Sequence, residues 1–208
     1  MIAWPRPSAA VPEGGRPLRV GTGDMVRQRD SSEPAGADAG IGGGLRYIRE
    51  VPSSRMVNQE HSFSCVVACV RQLLRDGGQD ASEADLIRSI GVREGFGSEL
   101  ESAAAELSKR HPSLMYAAGS IDPDALADLV RRDPWIARVR TLSGRYHTVI
   151  VDGRHDGILA VRDPWGLTGP GSGAGTEATI RLDDFLEHWR FGIHQVIIPI
   201  GHKTGGRE

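Results

Sequence analysis

Three features of the sequence predict an α+β protein. Before Pro134 the chain carries helical periodicity with helix start and stop signals. After Pro134 it breaks into short runs rich in β-formers, separated by Gly and Asp turns. Residues 1–44 show neither pattern. Helices first and an antiparallel sheet second place a functional site where the two layers meet.

Residues 1–44 hold nine Gly and five Pro and end in the run Gly42-Gly43-Gly44, which predicts a flexible leader. Arg46–Val51 alternates as an edge strand or extended lead-in with Tyr47 inward. From Ser62 to Arg75 nearly all residues are apolar on all but one side, marked by Arg71, Gln72 and Arg75. That is a largely buried helix, capped by Ser62 or Ser64 and stopped by Gly77 and Gly78. Further helices are predicted from Ser82, with Asp85 three residues on, and from Ser98, where Glu101 completes a capping box. A third follows Asp122, with Pro123 at its first position. Strands are predicted at 135–139, 147–151, 158–162, 179–182 and 195–200, with a short helix at 184–189. The Gly-rich stretch 169–175 reads as a long connection. The folded domain is thus 45–200, with 201–208 as a disordered tail.

Charge and composition narrow the function. A net charge of −2 favours neither nucleic acid nor an acidic membrane surface as partner. The sequence contains no apolar run of membrane-spanning length, and its N-terminus has no basic region leading into an apolar stretch. These features predict a cytoplasmic protein, or one exported without a cleavable Sec signal. Basic residues are almost all Arg, with Lys only at 109 and 203, a bias typical of GC-rich bacterial genomes. Two cysteines, Cys65 and Cys69, are too few for a disulfide scaffold or a Cys-rich zinc site, so free thiols are predicted.

Cys65 falls in the first turn of the buried helix, where unpaired N–H groups and the helix dipole favour a thiolate. Cys69, one turn deeper, reads as a small buried hydrophobe. A hairpin turning at about residue 155 sets His147 directly opposite Asp163, so that the carboxylate can orient the imidazole. Gln59, just before the helix, can offer its side-chain amide to an oxyanion beside the Cys65 backbone N–H. Nucleophile, base, orienter and oxyanion donor are then all present, and this chemistry needs no metal or cofactor. Trp165 is placed to pack near the site.

The stretch from Gln59 through Ser-Cys-Val-Val-Ala-Cys to Leu74, joined to His147-Thr-Val-Ile-Val-Asp-Gly and Val161-Arg-Asp-Pro-Trp-Gly, resembles the papain-like double-glycine (bacteriocin-processing) peptidase family. Some of its wider relatives are bacterial toxins and effectors. In that family a Gln six residues before the nucleophile, the first Cys of a Cys-x3-Cys helix, a His opening a strand and the Asp of an Asp-Pro pair carry catalysis. The resemblance puts these roles on Gln59, Cys65, His147 and Asp163, and implies a papain-like fold with the nucleophile helix packed on the C-terminal sheet. It also implies a cysteine peptidase acting on a peptide or protein. Two alternatives share the sequence pattern: a Gln deamidase or transglutaminase-like acyl transferase, and a non-catalytic peptide-binding domain.

Overall fold

A computed structural model of the chain describes residues 44–94, 98–129, 133–171 and 173–203. The predicted leader up to residue 43 and the tail from 204 lie outside the described residues. Seven strands form one antiparallel sheet: β1 (Tyr47–Val57), β2 (Leu114–Ser120), β3 (Trp135–Arg140), β4 (Tyr146–His155), β5 (Ile158–Asp163), β6 (Ala174–Arg181) and β7 (Gln195–His202). Their order across the sheet is β1-β6-β5-β4-β3-β7-β2. The helices are α1 (Cys65–Asp76), α2 (Glu83–Ile90), α3 (Leu100–Arg110), α4 (Leu126–Leu129) and α5 (Leu182–Phe191).

The strand period of two assigns the two faces of the sheet to two cores. Ile136, Ile150 and Ile197 cluster with Val66, Val70 and Leu73 of α1, Leu86 of α2 and Leu107 of α3. Their neighbours Ala137, Val149, Val151 and Val196 cluster instead with Phe185 and Trp189 of α5. Covered on both sides, β3 is apolar and buried from Trp135 to Ala137 and buried again at Val139. The second core is anchored by Trp135, whose ring centroid lies 6.3 Å from that of Phe185 and 5.9 Å from that of Trp189. Truncating a buried Trp of this kind costs about 3–5 kcal/mol.

Several sequence expectations change. The sheet is not confined to the second half, because β1 and β2 come from before Pro134 and take its two edges. β1 continues well past Val51, and β2 has no alternating pattern to announce it. β7 runs to His202, two residues beyond the predicted domain end, and the Lys203 N–H donates to the Ser113 carbonyl at 2.7 Å. β6 starts at Ala174, inside the predicted long connection. The Ser98 capping box does not form: α3 is capped at Glu99, and the Ser98 hydroxyl is buried with no partner among the described residues. Arg138 donates to the Ser98 carbonyl at 2.8 Å. After Asp122 comes a 3₁₀ turn, Pro123–Ala125, before the short α4. Ser82 caps α2 as predicted, its hydroxyl accepting from the Asp85 N–H at 3.1 Å.

Candidate active site

Cys65 is the first residue of α1. The helix has no acidic residue in its first turn and no side-chain cap, so its positive end is not neutralised from within. Ser64, the N-cap, spends its hydroxyl on the preceding loop: it donates to the His61 carbonyl at 2.8 Å and accepts from the His61 N–H at 3.1 Å. Cys65 is half-exposed while Cys69 is buried, its Sγ 3.4 Å from the Thr148 carbonyl. A small cleft of about 50 Å³ opens over Cys65 and is lined by His147, Trp165, Ser62, Arg145 and Tyr146, with Gly44 at its wall. A larger hollow of about 510 Å³ lies at the β2–β7 edge beside Leu114 and Ile200 and contains no nucleophile. Chemistry, not volume, singles out the cleft.

His147 and Asp163 meet, but not as direct opposites. The β4–β5 ladder pairs Ile150 with Arg162 and slips by one residue between Val151 and Gly153, so continued pairing would set Asp163 against Val149. The turn is Asp156-Gly157, with φ of 47° and 76°, later than predicted. His147 therefore lies diagonally across from Asp163, two residues further along the same face and still within reach for long side chains. Its Nε2 and Asp163 Oδ1 are 2.7 Å apart, and its ring lines the cleft over Cys65, close enough for imidazole and thiol to act on each other's charge. Trp165 stands edge-on to the His147 ring, at 6.2 Å and 89°.

The electrostatics follow from these contacts. Burial alone would raise the Cys65 thiol, yet its pKa is lowered, because the His147 hydrogen bond and charge, the Thr148 hydroxyl and Arg138 outweigh it. Burial alone would likewise lower His147, but the Asp163 charge and hydrogen bond, helped by Cys65, raise it to about 10. Both shifts put the proton on the imidazole and the negative charge on sulfur. Asp163, fully buried, would be raised by desolvation but is held below its ordinary value by the His147 charge and hydrogen bond, the Tyr47 hydroxyl and the Trp165 N–H. Those last two donors lie at 2.6 Å and 2.8 Å.

Gln59 is wholly buried and fixed through its backbone: its N–H donates to the Pro164 carbonyl at 2.9 Å and its carbonyl accepts from the Gly171 N–H at 2.8 Å. Its side-chain Nε2 donates to the His61 carbonyl at 2.7 Å, and Oε1 has no partner among the described residues. The structure thus bonds His147 to Asp163, sets His147 and Cys65 on one cleft, and holds Gln59 in the loop that leads into α1.

Three supporting residues escaped the sequence analysis. Tyr47 was read only as an inward strand residue, not as a partner of Asp163. Asn58 donates from Nδ2 to the carbonyls of Pro164 at 3.0 Å, Trp165 at 2.8 Å and Gly169 at 3.3 Å, binding the loop after Asp163 to the loop before α1. Glu83, also buried, accepts from the Glu60 N–H at 2.9 and 3.1 Å and braces that second loop from α2. A signal existed only for Asn58, as a polar residue beside Gln59. Among the described residues no cluster of three or more His, Cys, Asp or Glu is placed to hold a metal, and no helix is long and apolar enough to cross a membrane.

No protein-family model matches the chain, and no curated protein matches its sequence. Solved structures do match its fold. One is the peptidase domain of Streptococcus ComA, a bifunctional ABC transporter in a quorum-sensing pathway, at 19% identity and TM-score 0.54, over 70% of this chain and 97% of that one. A second is a double-glycine motif protease from an AMS/PCAT transporter, in complex with leader peptide, at 14% identity and TM-score 0.53, over 74% and 94%. A third is a C39-like peptidase candidate from Bacillus anthracis, at 16% identity and TM-score 0.52, over 73% and 98%. With 97% of the ComA domain aligned on an α+β sheet of this kind, the chain has the fold of the C39 peptidase domains of double-glycine processing transporters.

Proposed function

We propose that the chain is a cysteine peptidase that hydrolyses a peptide bond through a thioester on Cys65. The observation that carries this reading is the His147–Asp163 hydrogen bond beside a cleft that His147 shares with Cys65, at the uncapped start of α1. The Cys65 thiolate attacks the scissile carbonyl carbon. The Cys65 backbone N–H, which has no acceptor within the helix, and the Gln59 carboxamide take the resulting oxyanion. His147, already carrying the proton, gives it to the leaving amine as the C–N bond breaks. It then takes a proton from water, whose oxygen attacks the thioester and releases the acid and the thiolate, which restores the ion pair. Asp163 keeps the imidazole oriented throughout. Peptide processing suits the fold, since one solved structure of this fold holds a leader peptide.

The test is digestion of a peptide library by the full chain and by Cys65→Ala, read by mass spectrometry. New termini with the first and none with the second are expected. Ammonia release from intact peptides would transfer the same thioester chemistry to Gln side chains, and Cys65-dependent change in neither readout would overturn the reading.

A further inference from the structure

A row of cations leads away from the sulfur. Cys65 Sγ lies 3.5 Å from the Thr148 hydroxyl, and in the β3–β4 ladder Thr148 faces Arg138. Two residues along, about 7 Å further, Tyr146 faces Arg140. The Arg138 and Arg140 guanidinium groups sit 5.9 and 5.7 Å from the centre of the Tyr146 ring, two like charges on one aromatic ring. Their hydrogen bonds go to neutral acceptors: Arg138 to Gln195 Oε1 at 2.9 Å and the Ser98 carbonyl at 2.8 Å, Arg140 to the Gly144 carbonyl at 2.6 Å. Among the described residues neither makes a hydrogen bond to a carboxylate. Arg145, at the cleft mouth, stacks 5.7 Å from the centre of the Trp165 ring. The chain as a whole carries a net charge of −2, so this concentration of positive charge is local.

We propose that the β3–β4 hairpin is a subsite for an acidic side chain of the substrate, with Arg138 and Arg140 binding the carboxylate. The proposal rests on the peptidase reading for its substrate and adds the selectivity. Guanidinium groups held in place by neutral acceptors present remaining N–H donors in the planar fork that carboxylates match. A carboxylate arriving between them also relieves their mutual repulsion. The spacing puts the Asp or Glu about two residues from the scissile bond.

Two experiments on the full chain separate this from the peptidase reading. Peptide pairs differing only by Glu against Gln, scanned over three positions on each side of the cleaved bond, should show a preference for Glu at one position of about 10-fold in kcat/KM. That preference should vanish in Arg138→Gln/Arg140→Gln and persist in Arg138→Lys, which keeps the charge. Cleavage without a Glu preference overturns the subsite. The second experiment needs no peptidase activity: the ratio of Cys65 alkylation rates with iodoacetate and iodoacetamide, mapped by mass spectrometry. It should fall about 2- to 5-fold in Arg140→Gln, an exposed and structurally mild change, and the wild-type ratio should collapse in about 1 M salt. An unchanged ratio in Arg140→Gln overturns the subsite, even where no peptide is cleaved and the peptidase reading has itself failed.

Discussion

Tyr47 and Asp163, 116 residues apart in the chain, share a 2.6 Å hydrogen bond from the phenol to Asp163 Oδ2. Tyr47 stands on the edge strand β1 and Asp163 on β5, with β6 between them. One donor from across the sheet therefore secures the carboxylate oxygen that His147 does not use. The Tyr47→Phe variant should keep the fold, lose about 1–2 kcal/mol of stability and lower kcat with little change in KM. Without that donor the Asp163 carboxyl rises, so the acid limb of the pH–rate profile should move up. A drop in stability with an unmoved profile would leave Tyr47 as packing alone.

The Cys65–His147 pair sets a pH window for reactivity. The thiol is lowered from its ordinary value of 9.0 and the imidazole raised to about 10. The ion pair therefore forms below the ordinary thiol range and is lost as pH rises through about 10. Iodoacetamide at about pH 7 should label Cys65 at least tenfold faster than an ordinary thiol. Cys69, raised well above its ordinary value by burial and by the Cys65 and Asp163 charges, should stay unlabelled in the folded protein. Peptide mapping of the alkylated chain reads both.

Stability should depend on pH through the same groups. Asp163 is lowered on folding, so its contribution is present above its ordinary value of 3.8 and is lost as pH falls through the lower folded value. His147 is raised, so its contribution is complete below 6.5 and is lost as pH rises through about 10. Denaturant titrations of Asp163→Asn should show a loss of about 1–3 kcal/mol at neutral pH and a flatter decline on acidification than the wild type. The same variant should reduce kcat by about 10²- to 10⁴-fold. Parallel acid limbs for the two proteins would contradict the assignment.

The loop after Asp163 should be intolerant of small changes. Gly166 has φ of +75°, and a Cβ there would lie 2.7 Å from Asn58 Nδ2 and 2.9 Å from the Ala174 carbonyl. Gly166→Ala should destabilise by about 1–3 kcal/mol, and Asn58→Ala by a similar amount because three carbonyls lose their shared donor. Both should slow Cys65 alkylation, through displacement of Trp165 and His147. Normal alkylation with reduced thermal stability would confine Asn58 to a structural role.

Local chemistry was legible in the sequence, and long-range geometry was not. The start of α1 at Cys65 follows from the apolar run and the nearby serines, and the pairing of Asp163 with His147 from two strands meeting at a turn. The register was not legible, because the turn falls later, between Asp156 and Gly157, and one bulge near Asp152 takes back only part of that shift, replacing a facing pair with a diagonal one. β2 was invisible because Leu-Met-Tyr-Ala-Ala-Gly-Ser has no alternation and owes its conformation to pairing with β7. Tyr47 and Glu83 reach the site only through tertiary contacts that no spacing encodes.

The two edge strands have a consequence for how the protein comes off the ribosome. Among the described residues β1 pairs with β6 alone and β2 with β7 alone, so strands made early wait for partners made much later. The sulfur is translated roughly eighty residues ahead of the imidazole. During synthesis the nascent polypeptide therefore carries an unpaired thiol, and its reactive centre is assembled only once the later strands are available to close the sheet.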